Sequence, residues 1–397
     1  MLWNQIKELI KLKKLLIIHN KYRITGGEDI VVEQETKVLE NHFIVNSLIF
    51  SNKVSLSISK LPLFFSSRSK ESRHKLTKVI DDFNPDIALV HNTWFNASLS
   101  IFDVLKEKNI QTILKLHNFR YFCTKNFLHK NHISRNGICS ACGQFSSRYR
   151  IFNKYFLNSY IKSLMVVFYG KRYFNLLKSG KFKIVVLTEF HKKFLSKLDI
   201  SSERIFVIPN LFDINAKQSQ IKMSNREYVV YGGRISEEKG IEELIKTFLS
   251  CNFHNLYLKI IGNGPTLSYL EDQYSSDSIQ FVKEVSNTEM LDIIANAKGV
   301  VTATKLYEGQ PTLLCEASFH EIPSVFPKSG GIEEFFPNEY PLSFNQYDYE
   351  ELKRKLIYLN NLGDSNEIGK KNKEFIENYL DEKKLIKDLN RVFNDKF

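Results

Sequence analysis

Short apolar runs alternate along the chain with segments that have the amphipathic spacing of helices. In the first half the apolar runs predict strands at 13–19, 43–50, 86–91, 111–117, 183–188 and 205–208. The segments between them predict helices near 28–41, 70–82, 98–108 and 189–198. Strands that alternate with helices indicate a parallel sheet covered on both faces. We therefore predict an α/β fold with a Rossmann-like N-terminal domain over residues 1–208.

The same alternation starts again after a polar stretch at 215–225, which is typical of an interdomain linker. The second set of apolar runs predicts strands at 227–233, 256–262, 279–285, 299–304 and 323–327. From about residue 364 the pattern predicts helix to the end of the chain. We therefore predict a second Rossmann-like domain over residues 209–375 and a C-terminal helix over residues 376–397.

Residues 148–183 depart from this alternation because they are long, apolar and aromatic, with Lys and Arg at their edges. The pattern predicts one or two amphipathic helices, with Gly170 as the expected break. One interpretation is a core helix with a solvated basic face. The other is an interfacial helix that lies on anionic lipid.

The totals exclude several classes of protein. At 397 residues the chain can bury two separate cores. No apolar run approaches the roughly 20 residues that span a bilayer, and the N-terminus lacks the pattern of a secretory signal. Five cysteines, three of them clustered, do not form a disulfide framework, which predicts a reducing cytosol.

The net charge of +12 is unevenly distributed. Residues 1–215 hold 34 Lys and Arg against 16 Asp and Glu, which gives +18, and the remaining 22 and 28 give −6. No acidic residue occurs between Glu107 and Glu189, an interval with 15 Lys and Arg. A field of one sign indicates a polyanionic partner, either nucleic acid or an anionic membrane.

Cys123, Cys139 and Cys142 have the spacing C-x15-C-x2-C, with His129 and His132 between the first two cysteines. Three thiolates and one histidine would satisfy a tetrahedral structural zinc. The alternative is a set of reduced thiols that steady a loop.

The segment from Glu308 to Glu316 carries two carboxylates across a loop that becomes a helix. Pro311 suits the first helical position, and the amides of Thr312 and Leu313 would then be unpaired donors at a positive helix end. A sugar nucleotide needs such a set: donors for its diphosphate and carboxylates for the hydroxyls of its two sugar rings. An acidic helix start with a capping role is the simpler alternative.

Glycine-rich strand ends precede this loop, at residues 232–240 and 261–265. They place Arg234 and Lys239 at the edge of the second sheet, where two fixed cations and free amides would form a phosphate cradle. In the first domain, His91 and His117 end two predicted strands, at the edge where open α/β sheets hold ligands. Gly26 and Gly27 follow the first strand, and they suit either a close approach of a ligand or a plain tight turn.

These motifs together resemble the retaining glycosyltransferases of family 4, which have the GT-B fold of two Rossmann-like domains facing across a cleft. The resemblance covers nearly the whole chain and rests on short motifs in the right order, which are Gly26-Gly27, Leu116 to Arg120, Val207 to Asn210, Gly233-Arg234 with Lys239-Gly240, Gly262 to Pro265, Glu308 to Ala317 and Gly330-Gly331 with Glu334. The pairing of Gly26-Gly-Glu-Asp29 with Leu116 to Arg120, together with the following cysteines, looks like a bacterial surface-polysaccharide subgroup.

The resemblance implies a role for each matching residue. Arg234 and Lys239 would hold the donor diphosphate, Glu316 the nucleotide ribose and Glu308 the hydroxyls of the transferred sugar, while His117 would lie beneath that sugar. The implied catalytic residues are His117, Glu308, Arg234 and Lys239. The implied donor-binding residues are Gly26, Gly27, Gly233, Arg234, Lys239, Gly262, Gly264, Gly309, Gln310, Pro311, Thr312, Leu313 and Glu316. The basic N-terminal domain would bind the acceptor and face the membrane, and the C-terminal domain would bind the nucleotide sugar. The last helix would pack back on the N-terminal domain.

We therefore predict a retaining, hexosyltransferase-type enzyme in O-antigen, capsule or exopolysaccharide synthesis, peripheral on the cytoplasmic face of the plasma membrane. Its donor would be a UDP- or GDP-sugar and its acceptor a lipid-linked saccharide. No D-x-D triad occurs, so catalysis is expected to need no metal and no cofactor. A sugar-nucleotide epimerase of similar fold is the rival enzyme. A basic nucleic-acid-binding protein is the rival of another class, although it would not need the acidic second half.

Overall fold

The structure, a computed structural model, describes residues 12–22, 27–52, 66–124, 154, 156, 159–212, 228–363 and 367–395. The chain forms two compact units. The first comprises Met1–Asp213 together with Glu382–Phe397, and the second comprises Ile214–Asp381. The boundaries predicted from the sequence lie at 208/209 and 375/376.

The first unit is built on a parallel sheet of six strands, as predicted. The strands are β1 (Lys14–Lys21), β2 (Ile44–Ser51), β3 (Ile87–Val90), β4 (Gln111–Leu116), β5 (Lys183–Val186) and β6 (Ile205–Val207). Their spatial order is β2-β1-β3-β4-β5-β6. The order reverses between β1 and β3, because the chain adds β2 on one side of β1 and all later strands on the other.

In the described part of the first unit, five helices connect these strands. They are α1 (Gly27–Leu39), α2 (Lys70–Phe83), α3 (Ser100–Glu107), α4 (Tyr160–Ser179) and α5 (Glu189–Ser196). Side-chain caps begin α2 and α5: the Ser69 side chain accepts a hydrogen bond from the amide of Ser72, and the Thr188 side chain accepts one from the amide of His191.

Helix α4 corrects one prediction. It runs unbroken through Gly170, which is buried in its interior, so the expected break does not occur. Packing of the buried face outweighs the cost of a helical glycine, about 1 kcal/mol. Among the described residues no helix combines the length and the apolarity that crossing a bilayer requires.

The C-terminal segment also differs from its prediction. Instead of one helix from residue 364 it forms α11 (Glu367–Tyr379) and α12 (Glu382–Asn394), numbered after the helices of the second unit given below. Helix α12 belongs to the first unit, where Phe43 and Phe393 pack with ring centroids 5.3 Å apart. His42 lies 2.9 Å from the carboxylate of Glu382. The predicted return of the last helix to the N-terminal domain is therefore present.

The second unit has its own parallel sheet of six strands. They are β7 (Tyr228–Gly232), β8 (Tyr257–Ile261), β9 (Ile279–Val282), β10 (Gly299–Val301), β11 (Ser324–Lys328) and β12 (Ser343–Asn345), in the order β12-β11-β10-β7-β8-β9. The sequence did not predict β12, which has only three residues. Here the order reverses between β7 and β10, as in the Rossmann arrangement.

The helices of the second unit lie between and after these strands. They are α6 (Ile241–Ser250), α7 (Leu267–Tyr274), α8 (Asn287–Ala295), α9 (Thr312–Phe319), α10 (Tyr349–Asn360) and α11. Helix α8 begins with a complete capping box between Ser286 and Glu289. Two parallel sheets with covering helices confirm the predicted α/β class.

A buried lysine fastens α12 to the first sheet, which yields a prediction. The ammonium of Lys183 donates to the carbonyl of Val392 at 2.5 Å and also to that of Asp395, and its side chain is only 2% exposed. We expect Lys183→Met to lower the free energy of unfolding by about 1–3 kcal/mol, because both carbonyls lose a charged donor. Urea unfolding monitored by circular dichroism measures this.

The matched control is Lys181→Met, since Lys181 lies two residues earlier and is exposed. Equal unfolding midpoints for the two variants would show that the bonds of Lys183 do not hold the last helix in place.

Candidate functional site

In the second unit the candidate residues gather where the strand order reverses. The chain leaves β7 into Gly233 and Arg234, and leaves the adjacent β10 into the loop that holds Glu308. The carboxyl ends of neighbouring parallel strands meet at one edge of a sheet, and ligands of open α/β sheets bind there. Strand β10 ends at Val301, earlier than predicted, so the stretch from Thr302 already belongs to this loop.

The two glycine-rich turns pack directly on each other. The amide of Gly233 donates to Ile261 at 3.0 Å, and that of Ile235 to Asn263 at 2.9 Å. A Cβ atom at Gly262 would lie 2.0 Å from the carbonyl oxygen of Gly233, which no other residue could tolerate. Gly262, predicted to bind the donor, therefore has a packing role in the structure: it keeps the turn that carries Arg234 in place.

The two predicted phosphate-binding cations differ in their surroundings. Arg234 is exposed, and no ion pair of the described residues includes it. Its carbonyl accepts a hydrogen bond of 2.9 Å from the hydroxyl of Tyr231. Lys239 is half-buried and lies 2.6 Å from a carboxylate oxygen of Glu308. Arg234 is thus available to a ligand, whereas Lys239 already has an anionic partner.

Glu308 is held in position from two sides. The same carboxylate oxygen that contacts Lys239 accepts a hydrogen bond of 2.9 Å from the hydroxyl of Thr304. The carbonyl of Glu308 accepts from the amide of Gly331 at 2.9 Å, and a Cβ at Gly330 would lie 2.2 Å from that carbonyl oxygen. The pair Gly330-Gly331 therefore lets a neighbouring loop pack closely on Glu308.

The Glu308 carboxyl is ionised in this environment. Burial opposes its charge, but the Lys239 ammonium and the hydrogen bonds from Lys239 and Thr304 outweigh burial and hold the pKa of Glu308 below its ordinary value. At neutral pH the group is a carboxylate that can accept hydrogen bonds from hydroxyls.

Helix α9 starts one residue later than predicted. Pro311 is the residue before its first turn and not the first helical position, with ψ at 86°. Its carbonyl oxygen accepts hydrogen bonds from the amides of Leu314 and Cys315, with a donor–acceptor distance of 3.0 Å in each. The amides of Thr312 and Leu313 take part in no hydrogen bond among the described residues, as expected for a helix start. This end of α9 can bind an anion.

Glu316 lies about one turn into α9 and has a different environment from Glu308. Within the described part of the chain its side chain makes no hydrogen bond or ion pair. Burial raises the pKa of Glu316 from its ordinary value of 4.5 to about 7. A carboxyl that is partly buried without a partner is typical of a binding site, where ligand hydroxyls replace the lost water.

The first unit has a second cluster at the reversal between β1 and β3. His117 follows β4, and its Nε2 lies 2.8 Å from Nδ1 of His91, which follows β3. Burial and the nearby Lys115 ammonium hold the pKa of His117 well below its ordinary value, so its imidazole is neutral. His117 lines a small pocket together with Glu28, Asn118 and other residues.

Several predicted residues remain to be placed. Gly27 is the exposed first residue of α1, and a Cβ there would meet nothing within 4 Å. Gly26 lies outside the described residues, as do Cys139 and Cys142 of the predicted zinc site and both of its histidines. Cys123 is buried. The described residues contain no group of three or more His, Cys, Asp or Glu that could hold a metal ion.

Glu28 and Asn118 lie within two of the motifs that carry the resemblance, but no role was predicted for them or for Tyr22. The hydroxyl of Tyr22 and the amide of Asn118 both donate to one carboxylate oxygen of Glu28, at 2.8 Å and 3.0 Å. A signal was available, because Glu28 directly follows Gly27 and Asn118 directly follows His117. It went unused because polar residues beside a motif usually serve only the local turn.

Comparison with protein families finds a match that covers the second unit. Residues 213–381 match the family model described as "Glycosyl transferases group 1". The uncharacterised glycosyltransferase YqgM of Bacillus subtilis (strain 168) is 26% identical over 159 residues, which are 38% of this chain and 44% of that protein. The amylovoran biosynthesis glycosyltransferase AmsD of Erwinia amylovora is 24% identical over 149 residues, 36% of this chain and 42% of that protein. The chain thus matches less than half the length of these curated relatives.

A solved structure extends the likeness to the whole chain. HepE of Anabaena, crystallised with UDP and glucose, superposes with a TM-score of 0.66 and 15% identity, covering 96% of this chain and 99% of that chain. At such low identity the likeness shows the fold alone. The fold is GT-B, and the second unit is related to the group 1 glycosyltransferases.

The unpaired carboxyl of Glu316 yields a prediction with a defined pH dependence. The unfolded chain releases this proton near pH 4.5, whereas the folded protein holds it until about pH 7. The stability contributed by the protonated form is therefore lost as pH rises between these values. We expect Glu316→Gln to raise the free energy of unfolding by about 1–3 kcal/mol at pH 8, and to change it little at pH 4.5. Urea unfolding at both pH values measures this.

Glu333→Gln is the control, because Glu333 is exposed and lies in the same unit. A gain of the same size for Glu316→Gln at both pH values would contradict burial as the cause.

Proposed function

We propose that the chain is a glycosyltransferase that moves a hexose from a UDP- or GDP-sugar to a saccharide acceptor. The observation that carries the proposal is the edge of the second sheet. Two cations, the free amides of α9 and two carboxyls in different environments lie there together. This set matches a diphosphate between two hydroxyl-bearing rings, with Arg234, Lys239 and the α9 amides toward the phosphates.

We assign one carboxyl to each of the two sugar rings of the donor. Glu316 lies inside the helix next to the anion-binding amides, and we assign it the ribose. Glu308 is ionised and held beside Lys239, and we assign it hydroxyls of the transferred sugar. Binding of the diphosphate competes with Glu308 for Lys239, which would release carboxylate oxygens for the sugar.

The proposed chemistry is cleavage of the bond between the sugar and the diphosphate. Negative charge grows on the leaving diphosphate and positive charge on the sugar ring. Preplaced cations and helix amides stabilise the first. We propose that Arg234 and Lys239 do so without a divalent metal, that configuration is retained as in family 4, and that His117 contacts the reacting sugar.

The pathway we propose is the synthesis of a surface polysaccharide such as O-antigen, capsule or exopolysaccharide. Support comes from the matched relative AmsD, whose name assigns it to amylovoran biosynthesis. The acceptor would then be a lipid-linked saccharide at the cytoplasmic face of the membrane.

An exposed apolar surface on α4 supports this membrane location. Four large side chains on its N-terminal half are solvent-exposed: Tyr160 (53%), Ile161 (69%), Leu164 (43%) and Phe168 (40%). At 100° per residue they fall within about one third of the helix circumference, and Lys171 continues the same face. Apolar side chains beside lysines fit the interfacial interpretation, with anionic lipid as the partner.

Flotation with liposomes tests the membrane proposal. We expect the protein to float with anionic vesicles and less with neutral ones, and Ile161→Ser with Phe168→Ser to reduce recovery severalfold because apolar insertion is lost. Tyr269→Ser is the control, since Tyr269 is 53% exposed in the second unit. Equal recovery on both vesicle types would contradict the electrostatic part of the proposal. Unchanged recovery of the double variant would show that α4 is not the membrane-binding surface.

Substitution of Glu308 tests the enzymatic proposal. UDP- and GDP-sugars are first screened for thermal stabilisation, because a ligand of the native state raises the melting temperature. With the donor so found, and with EDTA present, we expect Glu308→Ala to lower acceptor-dependent nucleotide release about a hundredfold. Nucleotide binding should persist or tighten, since Lys239 is freed for the phosphates.

Glu333→Ala again serves as the control. Similar losses of binding and transfer in Glu308→Ala would contradict its assignment to the sugar. Nucleotide release that needs no acceptor would favour a hydrolase, and conversion of the nucleotide sugar without release of nucleotide would favour an epimerase. Loss of transfer in EDTA, restored by magnesium, would contradict metal-independent catalysis.

A further inference from the structure

A set of buried polar side chains connects helix α1 to His117, and the proposed donor site does not use it. Glu35 on α1, Lys115 on β4 and His91 directly after β3 are each no more than 3% exposed. They meet because β3 and β4 are neighbours in the sheet and α1 packs over it. Buried ionisable groups are rare unless each has a partner, so the partners of this set indicate what it does.

Glu35 has one carboxylate oxygen with a partner and one without. Its Oε1 lies 2.5 Å from the Lys115 ammonium, which also donates to the carbonyl of Pro209 at 3.3 Å. Its Oε2 is buried, accepts no hydrogen bond from the described residues and lies 3.9 Å from Nε2 of His91. That nitrogen is also buried without a hydrogen-bond partner in the described part of the chain. The two unpaired atoms are thus next to each other.

His91 is bonded to His117 through its other ring nitrogen. Nδ1 of His91 lies 2.8 Å from Nε2 of His117. Burial is the largest of the effects that hold the pKa of both imidazoles well below the ordinary value, so both rings are neutral. Each neutral ring carries a single N–H, so the hydrogen bond has two possible directions. Either His91 donates from Nδ1, or His117 donates from Nε2.

The unpaired oxygen of Glu35 decides between these directions. If His91 donated from Nδ1, its Nε2 would present a lone pair to a buried carboxylate oxygen, and the two would repel each other. If His117 donates from Nε2, the proton of His91 is on its own Nε2 and is attracted to that oxygen. The separation of 3.9 Å exceeds a direct hydrogen bond, but in a buried site a carboxylate still acts on an N–H at this distance.

The direction of the bond determines what the remaining nitrogen of His117 can do. Nδ1 of His117 makes no hydrogen bond within the described part of the chain, and the residue is only half-buried. With the proton on Nε2, Nδ1 keeps its lone pair. It can then accept a hydrogen bond and attract positive charge, but it cannot donate.

We infer that Glu35 and His91 are positioning residues that hold the proton of His117 on Nε2 and so keep its Nδ1 lone pair available to the reacting sugar. The inference rests on the proposed function, in which His117 contacts that sugar. Positive charge develops on the sugar ring as its bond to the diphosphate breaks, and a lone pair stabilises this charge, whereas an N–H would oppose it. Glu35 and His91 act through His117 and do not touch the substrate.

The hydrogen bond is measured first, without substrate. Nuclear magnetic resonance of the full-length protein with ¹⁵N-labelled histidine shows which ring nitrogens carry protons, and His91→Asn and His117→Gln assign the two rings. We expect one proton on Nε2 of each ring, and a coupling across the hydrogen bond from Nε2 of His117 to Nδ1 of His91. A proton on Nδ1 of His91, or no coupling between the rings, would overturn the inference.

Glu35→Gln is expected to reverse this hydrogen bond. Lys115 has only donors, so the amide oxygen of the new side chain faces Lys115 and its NH₂ group faces Nε2 of His91. That nitrogen must then accept, so the protons of both rings move to Nδ1, and His91 donates to His117. Glu33→Gln is the matched control on the same helix, because Glu33 is 65% exposed, and it should leave both protons in place. Protons that stay on Nε2 in Glu35→Gln would overturn the role of Glu35.

Transfer is measured next, with the nucleotide sugar found in the thermal screen. Glu35→Gln should lower kcat about tenfold to a hundredfold, as loss of an orienting partner commonly does, and should change the donor KM much less. The donor phosphates and ribose are assigned to the second unit, which this substitution does not alter. Undiminished kcat in a Glu35→Gln protein whose protons have moved would overturn the inference, because the tautomer of His117 would then not matter.

Two substitutions of His91 test the same inference with the ion pair of Glu35 and Lys115 intact. The side-chain oxygen of His91→Asn lies near the former Nδ1 and still accepts from His117, whereas His91→Leu offers no acceptor. We expect His91→Asn to retain about tenfold more kcat than His91→Leu, although an apolar side chain suits the buried position at least as well. A purely structural role predicts the opposite, with kcat following the melting temperature, and that result would overturn the inference.

The two levels of the proposal fail differently. A wild-type protein that binds no nucleotide sugar would overturn the proposed function, whereas the direction of the hydrogen bond is decided by the spectra alone.

Discussion

The reversal of strand order in each parallel sheet is the constraint on which the rest of the structure depends. It separates two neighbouring crossovers so that their helices pack on opposite faces, and the loops at that edge are left open to a ligand. In the second unit this opening lies between β7 and β10, and in the first between β1 and β3. Residues far apart in the sequence, such as Lys239 and Glu308, meet because two adjacent strands end side by side. Neither helix propensity nor composition would bring them together.

Three carboxyls occupy these openings, and their environments give each a different state. Glu308 has a lysine and a threonine hydroxyl, and it is ionised. Glu316 has no described partner and titrates near neutral pH, at about 7. Glu28 has two neutral donors on one oxygen, and its pKa is raised because burial outweighs these hydrogen bonds. Glu308 is paired with Lys239, whereas Glu316 has no partner among the described residues and Glu28 accepts described hydrogen bonds on one oxygen only.

Much of the fold could be predicted, because buried parallel strands are apolar runs in the sequence. What failed depended on tertiary context. Gly170 lies inside a helix because neighbouring side chains bury it, and no local rule contains that burial. The division between α11 and α12 had a signal in Asp381, a favoured N-cap residue, which the continuous amphipathic pattern concealed. In the site, residue types were predictable, but the pairing of Lys239 with Glu308 and the packing role of Gly262 follow from contacts between loops.

The excess of positive charge in the first half of the chain describes its surface and not its pocket. The pocket of the first unit is lined by Glu28 as well as Lys115, so the net charge of this half does not describe the pocket. Exposed lysines lie elsewhere, for example Lys162 and Lys171 on α4, next to the exposed apolar side chains. Charge on the surface acts over about 10 Å and attracts any polyanion, whereas hydrogen bonds in a pocket distinguish hydroxyls from phosphates at contact distance. Attraction to a charged surface and selection of a ligand are therefore separate demands, and in the proposed function different groups of side chains would meet them.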